Sequence, residues 1–268
     1  MLALSGDPAT CIMLVIAVTL TCMMQVVVTS VAYGLVAAAS LAASAGIALV
    51  LARSAAGWPA AAGAVAFLAA WYGLVIGLEA SGVFASTAGL PVFGAVFALP
   101  LVIALIALWS APPLRRLVAD AASGPALVGL QVYRVAGAAM LLLLAIGHLP
   151  AVFAVPAGVG DVLVGALALP AAAALRAGRP GRAVAWNALG LLDLAVAVSL
   201  GVALSPGIAL IATTPDTGAM IVTPMIVVPT FAVPVSMWLH AASLRSLWAR
   251  RADRVVAAPS TIAAARNP

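Results

Sequence analysis

The sequence contains no lysine, and charge of either sign is scarce. All twelve basic residues are arginine, charged residues make up 7% of the 268 residues, and hydrophobic residues make up 66%. Because a soluble domain has about a quarter of its residues charged, this composition excludes a soluble globular protein. Without lysine the chain cannot form a retinal Schiff base or any other lysine imine, which excludes a rhodopsin-like pigment.

Cysteine and histidine are also rare, with two of each. Cys11 and Cys22 fall on one predicted helix about 16 Å apart, which is too far for a disulfide bond. His148 and His240 fall near opposite ends of the predicted bundle, so they cannot ligate one haem together. Two histidines are also fewer than an intramembrane zinc site needs. The sequence therefore predicts no metal and no cofactor, and it does not favour haem bound through His148 or His240 alone.

The sequence does contain a series of apolar runs of about 20 residues, each long enough to cross about 30 Å of hydrocarbon. They predict an all-α bundle of eight transmembrane helices in a single domain over residues 1–254, followed by a disordered cytoplasmic tail over residues 255–268. The expected helices are 10–29, 33–52, 59–79, 91–110, 126–148, 151–175, 183–204 and 220–247. Residues 10–52 form either two helices with a tight turn at 29–34 or one long span, which lowers the count to seven.

Arginine marks one side of the predicted bundle. It follows every second helix, whereas the alternate loops contain none. The arginines that mark this side are Arg53, Arg115, Arg116, Arg176, Arg179, Arg182, Arg245, Arg250, Arg251, Arg254 and Arg266. The positive-inside rule places these ends, including the C-terminus, in the cytoplasm. Topology then explains the net charge of +5, so we expect the lipid bilayer as a partner and no binding to nucleic acid.

Three of the predicted helices each carry one charge in an apolar setting, namely Arg134, Asp161 and Asp193. An unpaired charge at the centre of a membrane helix costs about 2.5–3.5 kcal/mol, so these side chains are expected to turn inward and form a cluster. Gln131 shares a helix face with Arg134. We expect Asp193 to pair with Arg134 and Asp161 to be the mobile group that exchanges protons. The alternative is an ion pair that only locks the helices together.

Glycine and proline predict breaks in two of the helices. Gly158 and Gly160 lie just before Asp161, and Pro229 and Pro234 lie within the last apolar run. Proline removes a backbone donor and clashes with the preceding turn, and helices broken at mid-membrane are typical of secondary transporters. The pattern therefore indicates a transport site between broken helices, although proline is also common in ordinary membrane helices.

Further polar side chains lie on the last two predicted helices. Ser236, His240 and Ser243 are spaced i, i+4 and i+7, so they share one helix face. A serine beside a histidine is typical of a nucleophile with its base, but small polar residues also form hydrogen bonds between membrane helices. Asn187 and His240 are further candidates for a substrate or coupling-ion site beside the charged cluster.

Four segments have a familiar order: QVYRVAGAAMLLL, PAGVGDVLVGALA, WNALGLLDLAVAVSLG and VPTFAVPVSMWLHAASLRSL. Over roughly residues 128–247 they resemble an uncharacterised family of bacterial multi-span membrane proteins. The resemblance implies a helical, multi-pass protein of the bacterial cytoplasmic membrane and no known activity.

The sequence leaves three functions open. The first is a proton- or ion-coupled transporter of a small solute, with its site between the last four helices. The second is a structural or redox subunit, or an anchor, of a larger membrane complex or homo-oligomer. The third is an intramembrane lipid-modifying enzyme, although the sequence favours a protein that is not an enzyme. A cavity that reaches Asp161 or Asp193 favours transport, and a lateral opening beside Ser236 and His240 favours lipid chemistry.

Overall fold

The computed structural model describes residues 8–86, 89–120 and 122–264. Every regular element in these ranges is helical, and they contain no strand. The α-helices are α1 Pro8–Arg53, α2 Gly57–Ala80, α3 Gly89–Ser110, α4 Pro112–Ala119, α5 Ser123–Leu130, α6 Ala138–Ala145, α7 Ala151–Arg176, α8 Pro180–Ala203 and α9 Val233–Ala264. The shorter elements are the 3-10 helices Val83–Ala85, Gln131–Gly137 and Gly218–Ile221 and the π-helical turn Val228–Ala232. Six helical segments are long and apolar enough to cross a membrane.

The first helix is longer than expected. α1 is one continuous helix of 46 residues, so the turn expected at 29–34 is wrong. No proline follows Pro8 in this stretch, so nothing in the backbone forces a break. Only the second half of α1 packs on the bundle, through buried apolar side chains four or seven residues apart: Ala32, Val36, Ala43, Ile47 and Leu51. The side chains of residues 12–27 are all exposed.

The last apolar run is broken near its prolines, as predicted. It starts as the 3-10 helix Gly218–Ile221, passes through an extended residue at Val222 and continues through the π-helical turn Val228–Ala232. Pro229 lies within that turn, and Pro234 is the second residue of α9. α9 continues to Ala264, so residues 255–264 are helical where a disordered tail was expected, and residues 265–268 lie outside the described part of the chain.

The break expected at Gly158 and Gly160 is wrong, because α7 is continuous from Ala151 to Arg176. The irregular segment lies instead on the helix that carries Arg134, where a 3-10 helix separates α5 from α6. Its sequence, QVYRVAG, contains no proline to predict this. The tertiary reason is close packing: a Cβ atom at Gly165 of α7 would lie 2.6 Å from the backbone nitrogen of Val135. The 3-10 backbone is narrower than an α-helix and fits against this glycine.

α7 lies at the centre of the bundle. It packs against α8, α5, α6 and the 3-10 segment between α5 and α6, while α9 packs against α3, α5 and α8. The short helix α4 packs against α3 and α9 and buries Leu117 and Val118. The elements that carry the three predicted charges therefore meet in the bundle interior.

Candidate functional site: a buried arginine with two carboxylates

The structure brings Arg134, Asp161 and Asp193 together, as the sequence predicted. Arg134 is 3% exposed. Its Nε donates to Asp161 Oδ1 at 2.7 Å, and its Nη2 donates to Asp193 Oδ2. Both carboxylates therefore pair with the same guanidinium: the expected pair with Asp193 forms, and Asp161 is a second partner. A planar guanidinium presents several donors in a fixed fork, which lets one arginine hold two acids at once.

His240 completes the surroundings of Arg134 from the opposite direction. Its Nε2 lies 3.2 Å from Arg134 Nη1, and its Nδ1 lies 2.9 Å from Asn187 Oδ1. A guanidinium can only donate, so Nε2 is the acceptor and the ring proton is on Nδ1, which donates to Asn187. The Asn187 amide nitrogen in turn donates to Ala183 O at 2.8 Å and to Ser243 Oγ at 3.0 Å. His240 is therefore a neutral acceptor in a satisfied chain of hydrogen bonds.

The charges of the cluster do not balance. Among the described residues, Arg134 is the only cation in an ion pair with Asp161 or Asp193. With both acids ionised the cluster carries one net negative charge, and an uncompensated charge is costly away from water. One proton or one small cation would balance this charge.

Two glycines make this close assembly possible. A Cβ atom at Gly190 of α8 would overlap the His240 ring, and one at Gly160 of α7 would overlap the Asp193 carboxyl group. The Trp186 ring lies 5.0 Å from the His240 ring on the same face of α8 as Gly190. Gly160 therefore does not break its helix but lets α7 and α8 approach at the level of the acids.

A small cavity reaches the cluster from the side of α1 and the π-helical turn. The cavity has a volume of about 40 Å³, which is enough for about two or three water molecules. Its polar lining comes from Ser40, Tyr133, Arg134, Asp161 and Ser236. The Asp161 side chain is 19% exposed against 8% for Asp193, so the cavity distinguishes the two acids.

The π-helical turn forms part of the cavity wall. Val228 and Ala232, on either side of Pro229, line the cavity, and so does Val233, next to Pro234. The prolines predicted as helix breaks therefore lie beside the site. Ser40 and Tyr133 were not predicted as site residues. Ser40 lies on a helix with no charged residue between Asp7 and Arg53 to single it out.

Ser236 and His240 do not form a nucleophile and base. Ser236 Oγ donates to Ala232 O at 2.9 Å and lies 2.6 Å from the Tyr133 hydroxyl. The ring nitrogens of His240 are both engaged elsewhere. The geometry therefore gives no support to a serine-based lipid enzyme at this stripe.

Gln131 is placed near the cluster but does not touch it. It is wholly buried, and neither its amide oxygen nor its amide nitrogen has a partner in the described structure. It precedes Arg134 by one 3-10 turn, about 6 Å along the helix, in the direction of the arginine-bearing end. A buried amide without partners costs about 1–3 kcal/mol per group, so this position favours a hydrogen-bonding guest.

The two histidines have different surroundings. His148 is exposed after α6, whereas His240 is buried in the cluster with both ring nitrogens bonded. The described residues contain no group of three histidine, cysteine or acidic side chains that could hold a metal ion.

Residues 90–248 match a family described as a domain of unknown function (DUF8737). The match includes the whole cluster and begins well before residue 128, where the resemblance found in the sequence started. No curated protein and no solved structure matches the chain.

Proposed function

The chain belongs to this family of unknown function, and we propose that it is a multi-pass protein of the bacterial cytoplasmic membrane that couples proton movement to transport of a small solute. The observation that carries the proposal is the Arg134 cluster, in which two carboxylates share one cation beside a cavity. Buried ionisable residues of this kind are typical of proton relays in transporters.

We count seven spans in this proposal. Six are the long apolar segments α1, α2, α3, α5 with α6, α7 and α8, and the seventh is the last apolar run, which passes through the π-helical turn into α9. At about 1.5 Å per residue, Asp161 lies about 15 Å from the start of α7, and Asp193 about 20 Å from the start of α8. Both depths fall near the middle of a hydrocarbon layer about 30 Å thick. The arginine-bearing ends are then cytoplasmic, and the N-terminus is outside.

Proton uptake at Asp161 would switch the cluster between two states, which differ in how Arg134 is paired. With Asp161 ionised, Arg134 is shared between both acids. A proton on Asp161 Oδ1 removes that acceptor charge and leaves Arg134 to Asp193, whose negative charge compensates it, and to the neutral acceptor His240. The movement of Arg134 towards Asp193 changes the cavity wall, because both Arg134 and Asp161 line it.

The cavity admits water or a small ion but not an organic solute. Solute entry therefore requires the wall formed by α1 and the π-helical turn to open. A π-helical turn with proline has fewer regular backbone hydrogen bonds than an α-helix, so it is the part of the wall best suited to move. Gln131, with its unpartnered amide, extends the polar route from Arg134 towards the cytoplasmic end.

Transport is tested on the purified protein in proteoliposomes with an imposed pH gradient, challenged with amino acids, sugars and organic cations. We expect at least one class to evoke a proton-coupled current that Asp161→Asn abolishes. Glu79→Gln is the matched control. Glu79 lies at the end of α2, where it accepts a hydrogen bond from the Thr223 hydroxyl, and it does not contact the cluster. Absence of current in the wild type, or equal currents in wild type and Asp161→Asn, would contradict the proposal.

Topology is tested separately with reporter fusions. Fusions after Arg53, Arg116, Arg182 and Arg254 should report the cytoplasm, and a reporter at the N-terminus should report the outside. An external signal at Arg116 or Arg182 contradicts the orientation. A cytoplasmic N-terminus contradicts the single span over residues 10–52.

A second candidate function, a subunit of a larger membrane assembly, is favoured by the free half of α1. Residues 12–27 are exposed and apolar over most of their length, and a surface of this kind normally contacts lipid or another protein. Cys22 is exposed on this half. Oxidative cross-linking through Cys22 in a Cys11→Ser background should give a covalent dimer if two copies pair along α1, and a monomer throughout if they do not.

A further inference from the structure

A second arginine site lies where the C-terminal end of α3 and the short helix α4 pack against α9. The Arg245 guanidinium carbon lies 5.0 Å from the centre of the Trp109 ring. Arg115, on α4, lies close enough for its positive charge to act on Arg245. Trp109 is 52% exposed, so this face is open to the surroundings.

One donor of this arginine pair has no partner. Arg245 Nη1 is buried and has no hydrogen-bond acceptor in the described part of the chain. Two neighbouring cations repel each other, and a buried donor without an acceptor is costly. One anion held between them would remove both penalties, and guanidinium groups bind phosphate through paired hydrogen bonds.

An exposed apolar face of α3 lies directly beside this pair. It consists of Leu105, Ile106 and Trp109, with Ser110 at its end. Ile106 is 62% exposed although it is aliphatic. A free phosphate would use the arginines but not the apolar face, whereas a phospholipid would use both.

We propose that Arg245 and Arg115 bind the phosphate of an anionic phospholipid whose acyl chain lies along the exposed face of α3 formed by Leu105, Ile106 and Trp109. The site rests on the membrane insertion proposed above but not on transport. The arginine-bearing ends mark the cytoplasmic leaflet, where basic pockets between helices bind anionic headgroups. An exposed tryptophan at this level is typical of the membrane interface.

The test measures lipid binding to the purified full-length protein in detergent by native mass spectrometry. Phosphatidylglycerol is titrated against phosphatidylcholine, and inorganic phosphate is added as a competitor. We expect phosphatidylglycerol to bind about tenfold more tightly than phosphatidylcholine, because only the anionic headgroup compensates both arginines. Inorganic phosphate at millimolar concentration should not displace it.

Three variants assign the site. Arg245→Gln should weaken phosphatidylglycerol binding about tenfold or more, the loss that corresponds to a charge-assisted hydrogen bond. Arg115→Gln should weaken it as well, and since Arg115 is exposed this variant keeps the fold even if Arg245→Gln does not. Arg182→Gln is the matched control, an exposed arginine at the same end of the bundle but on α8.

Each other outcome overturns the proposal. Unchanged binding in Arg115→Gln and Arg245→Gln rejects the site. An equal loss in Arg182→Gln means diffuse attraction to the basic face, and displacement by inorganic phosphate means a soluble anion. If lipid binding fails while solute-evoked currents persist, this inference alone is wrong.

Discussion

The cluster around Arg134 has a closely packed, dry side and a side next to the cavity. The dry side consists of Asp193, which packs against Gly160 of α7, and of His240, which packs against Gly190 and is held by Asn187. Asp161 borders the cavity and is more than twice as exposed as Asp193. The acids have the same chemistry and the same partner, so packing alone separates them. We expect the dry side to hold the geometry and the side next to the cavity to exchange protons.

Removing Arg134 should have the largest effect on stability, because both acids lose the cation that they share. Arg134→Ala leaves two buried carboxylates without a cation, and breaking a buried pair in this way costs about 3–5 kcal/mol of unfolding free energy. The melting temperature in detergent should fall sharply. Arg134→Lys should recover part of the loss, since it restores the charge but not the fork of donors. A melting temperature like that of the wild type would mean that the acids face water.

Asp193→Asn tests the dry side. Asparagine keeps the volume of the side chain but cannot compensate Arg134, so the variant loses a charge-assisted hydrogen bond worth about 1.5–3 kcal/mol. Thermal unfolding should show a clear loss of stability even where a transport signal survives. Stability equal to that of Asp161→Asn would remove the distinction between the two sides.

Gly190→Ala tests whether the dry side depends on close packing. The new Cβ atom would overlap the His240 ring, and overpacking typically costs about 1–3 kcal/mol. Alanine favours a helix over glycine by about 1 kcal/mol, which offsets part of this cost. The matched control is Gly94→Ala on α3, where a Cβ atom meets nothing within 4 Å. That variant should be neutral or more stable, and equal stability of the two variants would argue against tight packing at His240.

Asp161→Asn should have the smallest effect on stability and the largest on transport. Its side of the cluster adjoins space for water, which weakens an ion pair, and the variant leaves Arg134 balanced by Asp193. The variant should therefore unfold within a few degrees of the wild type while its proton-coupled current disappears. If it unfolds as easily as Asp193→Asn, both acids have a locking role and the transport proposal loses its support.

Several features could be predicted because they depend on local sequence. A run of apolar residues has to close its backbone hydrogen bonds within a helix, so the helical class and most of the helix positions followed from composition and length. The cluster was predictable because a charge on an apolar helix requires a partner. The break beside Pro229 was predictable because proline has no N–H to donate.

Other features depend on contacts between residues that lie far apart in the chain. The 3-10 segment around Arg134 contains no proline, and its close contact with Gly165 becomes visible only when α7 is in place. Likewise, Gly158 and Gly160 have the same sequence signature whether they break a helix or admit a neighbour. The continuity of α1 could not be decided either, since its apolar residues suit one long helix as well as two short ones.

The sequence by itself determined that the chain forms apolar helices, that arginine marks one end of them, and that Arg134, Asp161 and Asp193 had to come together. The reason is that neither lipid nor apolar side chains can solvate a charge. Only the tertiary structure decided that Arg134 binds both acids, that His240 accepts its third hydrogen bond, and that the cavity reaches Asp161. These outcomes depend on distances of a few ångströms between atoms of different helices, and no local pattern in the chain fixes such distances.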